Sequence, residues 1–452
     1  MNPNNQSRGA PRVTRRSFLQ KSTLAAAVVP VAGSVMFPFV RRARAGEPPP
    51  SEKIRVGLIG SGGMGRGNLA TFLGNPEVEC VVICDVDEGM LARGVEVCTS
   101  KGRKAPETVK DFRRVLDRAD VDAVIVATPD HWHALPTVLA CQAGKDVYVE
   151  KPLATTIDEG RAMLTAAQRH RRVVQMGSQW KSCRHIIEAA EFVKSGKLGK
   201  VSLVRAWAWL DWLPTLKREP DGEPPAGVDY DLWLGPAPKR PFNPNRFHFN
   251  FRWFWDYAGG LMTDWGVHLI NMALMGMDRV PPKTVCSSGG TFVLDPVQET
   301  PDSQTAVYEF PDFMLIWEHK SGLGVGLNGR PWGVSWSGTE GTIVLNDSGW
   351  ELLIEKRKAS LEPEKHPGSG DPRPAHIRNF LDCVKTRQQP VLNLELAHHV
   401  STVAHLGNIA FRSGQKIVWD AANERVPNSP EADKLVGATY REPWKLPYAR
   451  RT

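Results

Sequence analysis

The feature that most constrains this 452-residue chain is a glycine-rich turn between a short apolar run and a helical stretch. The run over residues 54–59 has the pattern of a buried strand, and Gly60, Gly62 and Gly65 follow it as a G-x-G-x-x-G motif. Without side chains at these positions, a phosphate can approach the backbone and the N-terminus of a helix. Asp85 comes twenty residues after Gly65, at the end of a second apolar run, where its carboxylate would accept hydrogen bonds from a ribose. The sequence therefore predicts a dinucleotide-binding site.

The residues after Asp85 bear on which dinucleotide the site would take. No Arg or Lys follows until Arg93, so a 2′-phosphate would find no adjacent cation, and the carboxylate itself would repel it. The sequence thus favours NAD over NADP as the cofactor. A glycine-rich turn beside a surface aspartate, with no nucleotide, is the alternative interpretation.

Two kinds of pattern divide the chain after its N-terminal segment. Apolar strands alternate with helical stretches over residues 53–150, which is typical of a parallel, doubly wound sheet. Beyond residue 176, β-like segments joined by short turns predict a mostly antiparallel sheet in an α+β domain. The predicted fold class is α/β, and the predicted boundaries are a signal peptide at 1–45, a linker at 46–52, a Rossmann domain at 53–175, a second domain at 176–420 and a C-terminal tail at 421–452.

The second domain is predicted in more detail from local patterns. Two insertions rich in Pro, Gly and charge, at 217–227 and 358–374, are expected to be surface loops. The predicted strands are 201–209, 283–294, 303–310, 313–319 and 342–354, and the predicted helices are 184–194, 375–387 and 394–412.

The positive charge of the chain is concentrated at its N-terminus. The sequence has 57 Lys and Arg against 49 Asp and Glu, and eight of those bases but no acid lie in residues 1–45. The remainder is therefore neutral. Nucleic-acid binding needs a surplus of cations, so we predict no nucleic-acid partner.

The basic N-terminal segment has the pattern of an export signal. Arg15 and Arg16 belong to a twin-arginine motif, which precedes the apolar run 24–40 and a small-x-small cleavage site that ends at Ala45. This pattern predicts periplasmic localisation through the twin-arginine translocation machinery, which exports folded proteins. An uncleaved membrane anchor is the alternative, although two prolines and a glycine interrupt the run. Seven cysteines without a C-x-x-C pair do not suggest a disulfide framework, in agreement with folding before export.

A cation stands at a position where such sheets bind ligands. Glu150-Lys151-Pro152 follows the fifth strand directly, at the carboxyl edge of the sheet. Lys151 could hydrogen-bond a hydroxyl undergoing oxidation and stabilise its developing alkoxide character. A surface lysine before a proline is the structural alternative.

A carboxylate and an imidazole lie four residues apart in the segment 259–268. We predict one helix from here through Met275, on which Asp264 and His268 project to the same side. Asp264 could orient His268 or share its proton, so the pair suits proton transfer. Metal binding and a purely structural pair are alternatives, but no third ligand occurs at recognisable spacing and we predict no metal.

An aromatic segment, residues 246–255, precedes that helix and interleaves its rings with Arg and His. His248, Arg252 and Trp253 are candidates for substrate binding, because such a surface suits the apolar faces and hydroxyl edges of sugars. Aromatic core packing is the alternative for many of these residues. A second aromatic group, at the end of an earlier strand, consists of Trp207, Trp209 and Trp212.

Taken together, these segments resemble the Gfo/Idh/MocA oxidoreductase family, and the resemblance covers essentially everything after the signal. It rests on five segments and their order, namely 60–67, 84–87, 127–133, 150–152 and 259–268. The resemblance implies a Rossmann domain, a C-terminal α/β domain whose open sheet often forms an oligomer interface, and NAD(P)-dependent redox chemistry on sugars, inositols and related polyols. A homo-oligomer is therefore expected.

The resemblance also implies roles for individual residues. Lys151 would be the catalytic lysine, His268 the general acid/base and Asp264 its active-site partner. Asp130 stands where Asn is frequent in the family, which leaves its role open. The predicted cofactor-binding residues are Gly60, Gly62, Gly63, Met64, Gly65, Asp85, Thr128, Pro129, His133 and Glu150.

The sequence favours an exported NAD-dependent oxidoreductase that acts on a sugar, inositol or related polyol with a retained cofactor. A redox-neutral NAD-dependent glycosidase, lyase or epimerase is one alternative, which export favours because free NAD is scarce outside the cytoplasm. The glycosidase branch of the family carries a Tyr-Pro-Thr-His-like segment where this chain has residues 262–264. A non-catalytic sugar-binding protein is the second alternative, and the intact set of Lys151, Asp264 and His268 argues against it.

Overall fold

The described part of the chain begins after the predicted export signal. A computed structural model describes residues 52–213, 215–278, 280–294, 297–355 and 361–450. The predicted signal peptide at 1–45 and all but the last residue of the predicted linker lie outside this part. Among the described residues, no helix has the length and apolar character needed to cross a membrane.

The first half of the described chain is built on a six-stranded sheet. Its strands are β1 (Ile54–Ile59), β2 (Val78–Cys84), β3 (Glu107–Val109), β4 (Ala123–Val126), β5 (Asp146–Glu150) and β6 (Val174–Gly177). All neighbouring pairs are parallel, in the spatial order β3-β2-β1-β4-β5-β6. The predicted doubly wound sheet is confirmed. The order reverses between β1 and β4, the place where such sheets bind ligands.

Helices connect these strands and cover both faces of the sheet. They are α1 (Gly63–Phe72), α2 (Glu88–Thr99), α3 (Phe112–Leu116), α4 (Ala134–Gln142) and α5 (Ile157–His170). Strand β4 is buried at every position, as expected for a strand covered on both faces. A single 3₁₀ turn, Asp130–Trp132, precedes α4.

The second sheet has nine strands. They are β7 (Leu203–Leu210), β8 (Thr284–Gly290), β9 (Ser303–Glu309), β10 (Met314–Ser321), β11 (Trp332–Ser337), β12 (Gly341–Asn346), β13 (Gly349–Ile354), β14 (Glu364–Pro367) and β15 (Ile417–Val418). Their order is β14-β13-β12-β11-β7-β10-β9-β8-β15, and only the β7–β10 pair is parallel among these described strands. The predicted mostly antiparallel sheet is confirmed.

Two details of the second sheet differ from the prediction. The single strand expected over 342–354 is the hairpin β12–β13, which turns at Gly349 with φ 128°. The surface loop expected over 358–374 contains β14, which pairs with β13 at the sheet edge. Edge strands carry charged, exposed side chains, so composition alone made β14 look like a loop.

The remaining helices pack against both sheets. They are α6 (Arg184–Lys194), α7 (Tyr230–Leu234), α8 (Gly260–Asp264), α9 (Gly266–Met275), α10 (Arg373–Thr386), α11 (Leu394–Ser413) and α12 (Pro430–Lys434). Helix α9 packs on the second sheet, where Trp336 Nε1 donates to the carbonyl of Ala273 at 2.9 Å. Helix α10 instead packs on the first sheet, with the ring of Phe380 5.7 Å from that of Tyr148 in β5. The chain therefore returns to the Rossmann half after building the second sheet.

The single helix predicted through Asp264 and Met275 is wrong. The segment forms α8 and α9, which are separated at Trp265. Gly266 begins the second helix, and glycine is a poor helix former, which accounts for a boundary at this point. The seven cysteines are free, and all except Cys286 are buried.

Candidate active site

A cavity of about 450 Å³ lies at the carboxyl edge of the first sheet. The Rossmann half contributes residues that follow strand ends, including Gly60, Asp85 and Lys151. The second half contributes His248 and Asp264, among others. Because a parallel sheet brings its strand ends to one edge, residues far apart in sequence share this wall.

The glycine turn forms a cradle that fits a dinucleotide pyrophosphate. A Cβ at Gly60, where φ is 91°, would lie 2.6 Å from the backbone of Ala127, and one at Gly65 would overlap the carbonyl oxygen of Gly60. A Cβ at Gly62 or Gly63 would meet nothing within 4 Å. Gly62 also caps α1 without any side-chain hydrogen bond, which leaves the N–H groups of the first turn available to an anion. Two glycines thus allow close backbone packing, while the other two keep the cradle open.

Asp85 lies beside this cradle in the wall of the cavity. Its Oδ2 accepts from the backbone N–H of Ser61 at 2.6 Å, and its Oδ1 accepts from that of Asp87 at 3.1 Å. Burial raises the pKa of this carboxyl despite those hydrogen bonds. The structure thus places Asp85 next to the glycine turn, where a ribose adjoining the pyrophosphate would lie.

An ion pair joins the two halves of the cavity at its inner end. Lys151 Nζ contacts Asp264 Oδ1, and it also lies 3.3 Å from the carbonyl oxygen of Asp264. Arg252 Nε lies 3.4 Å from Asp264 Oδ2. Although burial raises the pKa of Asp264, the cations of Lys151 and Arg252 hold it well below its usual value. Asp264 is therefore ionised, and its carboxylate is shared by two cations.

His268 is oriented by a serine. Its Nδ1 lies 2.9 Å from Ser178 Oγ, whereas no hydrogen bond joins it to Asp264 among the described residues. Burial and the nearby Lys151 lower the pKa of His268 to about 3, so the ring is neutral at pH 7. If Nδ1–H donates to the serine oxygen, Nε2 is free to accept a proton.

Polar residues in the wall of the cavity support the loop that carries Lys151. Glu150 accepts from Asn68 Nδ2 at 2.7 Å and from the backbone N–H of Lys151 at 3.2 Å, and burial raises its pKa. His133 lies between the carbonyl oxygens of Thr128 and Pro152, at 2.9 and 2.6 Å.

Burial lowers the pKa of His133 to about 4, so its neutral ring can donate to only one of these two carbonyls at a time. Among the other predicted cofactor residues, Gly62, Gly63, Met64, Thr128, Pro129, His133 and Glu150 line the cavity.

The three predicted substrate-binding residues occupy three different environments. His248 lines the cavity, and its Nε2 lies 2.9 Å from Oδ2 of Asp87, which is two residues after Asp85. Arg252 lines the inner end of the cavity with Asp264. Trp253 is buried with 4% of its surface exposed and does not line the cavity.

The second aromatic group divides in the same way. Trp207 is fully buried, Trp209 donates to Glu318 Oε1 at 3.1 Å, and Trp212 is half exposed. Core packing thus accounts for Trp207.

Three residues at the site were not assigned a role from the sequence. Ser178 follows β6, so its place at the carboxyl edge was a usable signal. Asp87 and Asp130 follow β2 and β4 at the same edge, and Asp130 lines the cavity. No local pattern indicates that Asp87 pairs with His248, because 161 positions separate the two residues.

Comparison with known families agrees with this architecture. Residues 54–178 match the NAD-binding Rossmann-fold domain of the Gfo/Idh/MocA oxidoreductase family. Residues 176–298 and 364–446 match that family's C-terminal alpha/beta domain. The chain belongs to the Gfo/Idh/MocA oxidoreductase family. It is accordingly an NAD-binding oxidoreductase, as the sequence predicted, and no cluster that could hold a metal ion occurs among its described residues.

Curated relatives match only part of the chain. A glycosyl hydrolase family 109 protein of Shewanella pealeana is 29% identical over 205 residues, which cover 42% of this chain and 44% of that protein. An alpha-N-acetylgalactosaminidase of Shewanella oneidensis is 31% identical over 157 residues, 34% of each chain. This chain thus spans less than half the length of either relative.

Solved structures share the fold over most of the chain. Levoglucosan dehydrogenase in complex with NADH and levoglucosan superimposes with a TM-score of 0.62 at 18% identity, covering 81% of this chain and 99% of that one. Aldose-aldose oxidoreductase from Caulobacter crescentus, complexed with glycerol, gives a TM-score of 0.60 at 21% identity, with 81% and 99% coverage.

Replacing Asp85 tests the assignment of the ribose position. Asp85→Ser keeps a short polar side chain next to Ser61 but removes the charge that would repel a 2′-phosphate, so we expect the preference for NAD over NADP to narrow by about tenfold or more. Calorimetric titration of each nucleotide measures this preference. Asp120→Ser, an exposed aspartate paired with Arg118, is the matched control. Tighter binding of NADP than of NAD by the wild type would contradict the assignment.

Proposed function

We propose that this protein oxidises a hydroxyl group of a sugar, inositol or related polyol and retains its NAD between turnovers. The observation that supports this most is the buried ion pair of Lys151 and Asp264 in the wall of the nucleotide cavity, with His268 close enough for both charges to influence its pKa. Lys151 is the cation, Asp264 is the carboxylate and His268 is the neutral base. Bound NAD would supply the hydride acceptor for such an oxidation.

The residues divide the work of removing a proton from the hydroxyl. Lys151 donates a hydrogen bond to the hydroxyl oxygen and stabilises its developing negative charge. His268 is neutral and accepts the proton at Nε2 while Ser178 orients the ring through Nδ1. Asp264 holds the Lys151 side chain in the wall of the cavity through their ion pair. Arg252 stabilises Asp264 from the other side.

Retention of the cofactor is supported by the way the second half crosses the nucleotide cavity. A strap, residues 227–252, is fastened to the loop after β2. The N–H of Asp229 donates to the carbonyl of Val86 at 2.9 Å, and the N–H of Glu88 donates to the carbonyl of Gly227 at 3.3 Å. His248 and Asp87 make a third connection. Because the strap bonds to the segment next to Asp85, we expect these contacts to slow the release of a nucleotide held by Asp85.

A redox-neutral reaction is the second candidate. It is supported by the partial similarity to glycosyl hydrolase family 109 proteins and by the same strap, since a held cofactor suits a reaction that returns its hydride. In that case the oxidation would be a first step before elimination or epimerisation. A glycosidase, a lyase and an epimerase all fit this scheme.

Export of the folded holoenzyme would agree with both candidates. The twin-arginine motif belongs to residues outside the described part, so periplasmic localisation remains a proposal that rests on the sequence. The proposed assembly is a homo-oligomer, a state that the family resemblance implies.

Two substitutions test the proposed catalytic roles. Lys151→Ala and His268→Ala should each lower turnover by about two orders of magnitude or more, the scale of general acid–base groups, while NAD stays bound. His366→Ala, on the exposed strand β14, is a control that should keep full turnover. Loss of NAD or of the fold in the two site variants would contradict the catalytic assignment.

Single-turnover measurement on the wild type separates the two candidate reactions. Lasting reduced-nicotinamide absorbance after sugar addition is expected of a dehydrogenase. A cleaved or epimerised product without lasting absorbance would favour the redox-neutral candidate.

The strap is tested by removing its side-chain connection. His248→Ala and Asp87→Ser should each speed NAD release by about tenfold, and the double variant should add little because both changes remove the same hydrogen bond, while serine remains a favourable N-cap for α2. Stopped-flow displacement with a fluorescent NAD analogue measures release. Unchanged release in both variants, or fully additive effects, would contradict the role of this contact.

A further inference from the structure

Asp130 is a buried carboxyl in the cavity that the proposed mechanism does not use. It lines the cavity with Lys151 and Asp264, and 7% of its surface is exposed. The 3₁₀ turn that carries it is anchored, because His131 Nε2 and Trp132 Nε1 each lie 3.0 Å from the carbonyl oxygen of Trp233. The carboxyl therefore has a fixed place in the wall.

The nearby cations are already engaged. Lys151 and Arg252 both pair with Asp264, whereas no ion pair involves Asp130 among the described residues. Two carboxyl groups thus face the inner end of the cavity, and only one of them has salt-bridge partners. Like charges at such a site disfavour ionisation of the second group.

The electrostatic surroundings keep Asp130 neutral at pH 7. Burial and the Asp264 carboxylate raise its pKa to about 8, against the opposing effect of Lys151 and Arg252. The neighbouring imidazoles do not compensate, since burial lowers the pKa of His133 to about 4 and that of His268 to about 3. Paired carboxyls with divergent pKa values mark groups with different roles in a site.

A neutral carboxyl group can donate a hydrogen bond, which a carboxylate cannot do. It offers one O–H donor together with acceptor oxygens, whereas the ionised form only accepts. A sugar hydroxyl both donates and accepts, so the neutral form can bond it in both directions.

We propose that Asp130 is a substrate-binding residue that hydrogen-bonds a hydroxyl of the polyol as a neutral acid. The inference rests on the proposed function, because it names a contact to that same substrate. It adds a substrate requirement, namely a second hydroxyl within reach of Asp130.

The proposal predicts how substrate affinity depends on pH. Only the neutral form binds, so the competent fraction falls as pH rises through about 8, and the apparent KM should increase about tenfold per pH unit above that point. Below pH 7 the ionisation of Asp130 should cause no change of KM with pH. The substitution Asp130→Asn keeps a donor and an acceptor but cannot ionise, so its KM should stay flat up to pH 9.

The first experiment measures KM and kcat from pH 6 to 9.5 with a sugar that reduces the bound NAD. We expect Asp130→Asn to match the wild type within about threefold at pH 7 and to lose the rise at high pH. Asp130→Ala should have a raised KM at every pH with a smaller change in kcat. Asp256→Asn, a half-buried aspartate paired with Arg240 outside the cavity, should keep the wild-type profile.

Two kinetic results would overturn the proposal. One is the same rise of KM with pH in Asp130→Asn as in the wild type. The other is a loss of kcat by about a hundredfold in Asp130→Asn at pH 7 with unchanged KM, which would assign proton transfer to Asp130 instead.

A second experiment does not depend on turnover. The infrared difference spectrum between the wild type and Asp130→Asn should show the carbonyl band of a protonated carboxylic acid at pH 7, which disappears above about pH 8. Absence of that band at pH 7 overturns the proposal, whether or not a substrate has been found. If no polyol reduces bound NAD in the wild type, the proposed function fails separately.

Discussion

The site depends on the buried contact between Lys151 and Asp264. Lys151 directly follows β5 of the first sheet, and Asp264 is the last residue of α8 in the second half. One ion pair therefore joins the two parts of the fold at the inner end of the cavity. Taking two charges out of water is costly, and removing one partner leaves the other uncompensated. The contact therefore restrains the two halves and fixes the position of the lysine in the wall of the cavity.

Around this pair the cavity keeps groups of different charge close together. Asp264 is ionised because Lys151 and Arg252 share its carboxylate, Asp130 is neutral because it is buried near the Asp264 carboxylate, and burial keeps His268 neutral. The site thus combines two cations, a carboxylate and a neutral acid, with a neutral imidazole close by. Asp130 and Asp264 are the same residue type, so the difference in their charge arises from their surroundings and from the side chains with which each pairs.

Much of the fold could be predicted because its signals are local. The glycine turn, Asp85 and Lys151 each sit at the end of an apolar strand pattern, and a parallel sheet gathers strand ends at one edge. The contact of His248 with Asp87 could not be predicted, because it joins two segments 161 positions apart. Likewise, spacing suggested that Asp264 serves His268, whereas the structure pairs it with Lys151 and leaves His268 to Ser178. Periodicity along a helix indicates which residues share a face, but it does not indicate which residues that face contacts.

We propose that this cavity holds NAD firmly enough for the nucleotide to act as a resident cofactor. The most direct measurement is to purify the protein without added nucleotide, denature it and identify any released nucleotide by mass spectrometry. We expect one NAD per protein chain. The cradle at Gly62 and Gly63 would hold its pyrophosphate, Asp85 would bind its ribose, and the strap is hydrogen-bonded to the segment beside Asp85. Release of NADP, or of no nucleotide at all, would contradict it.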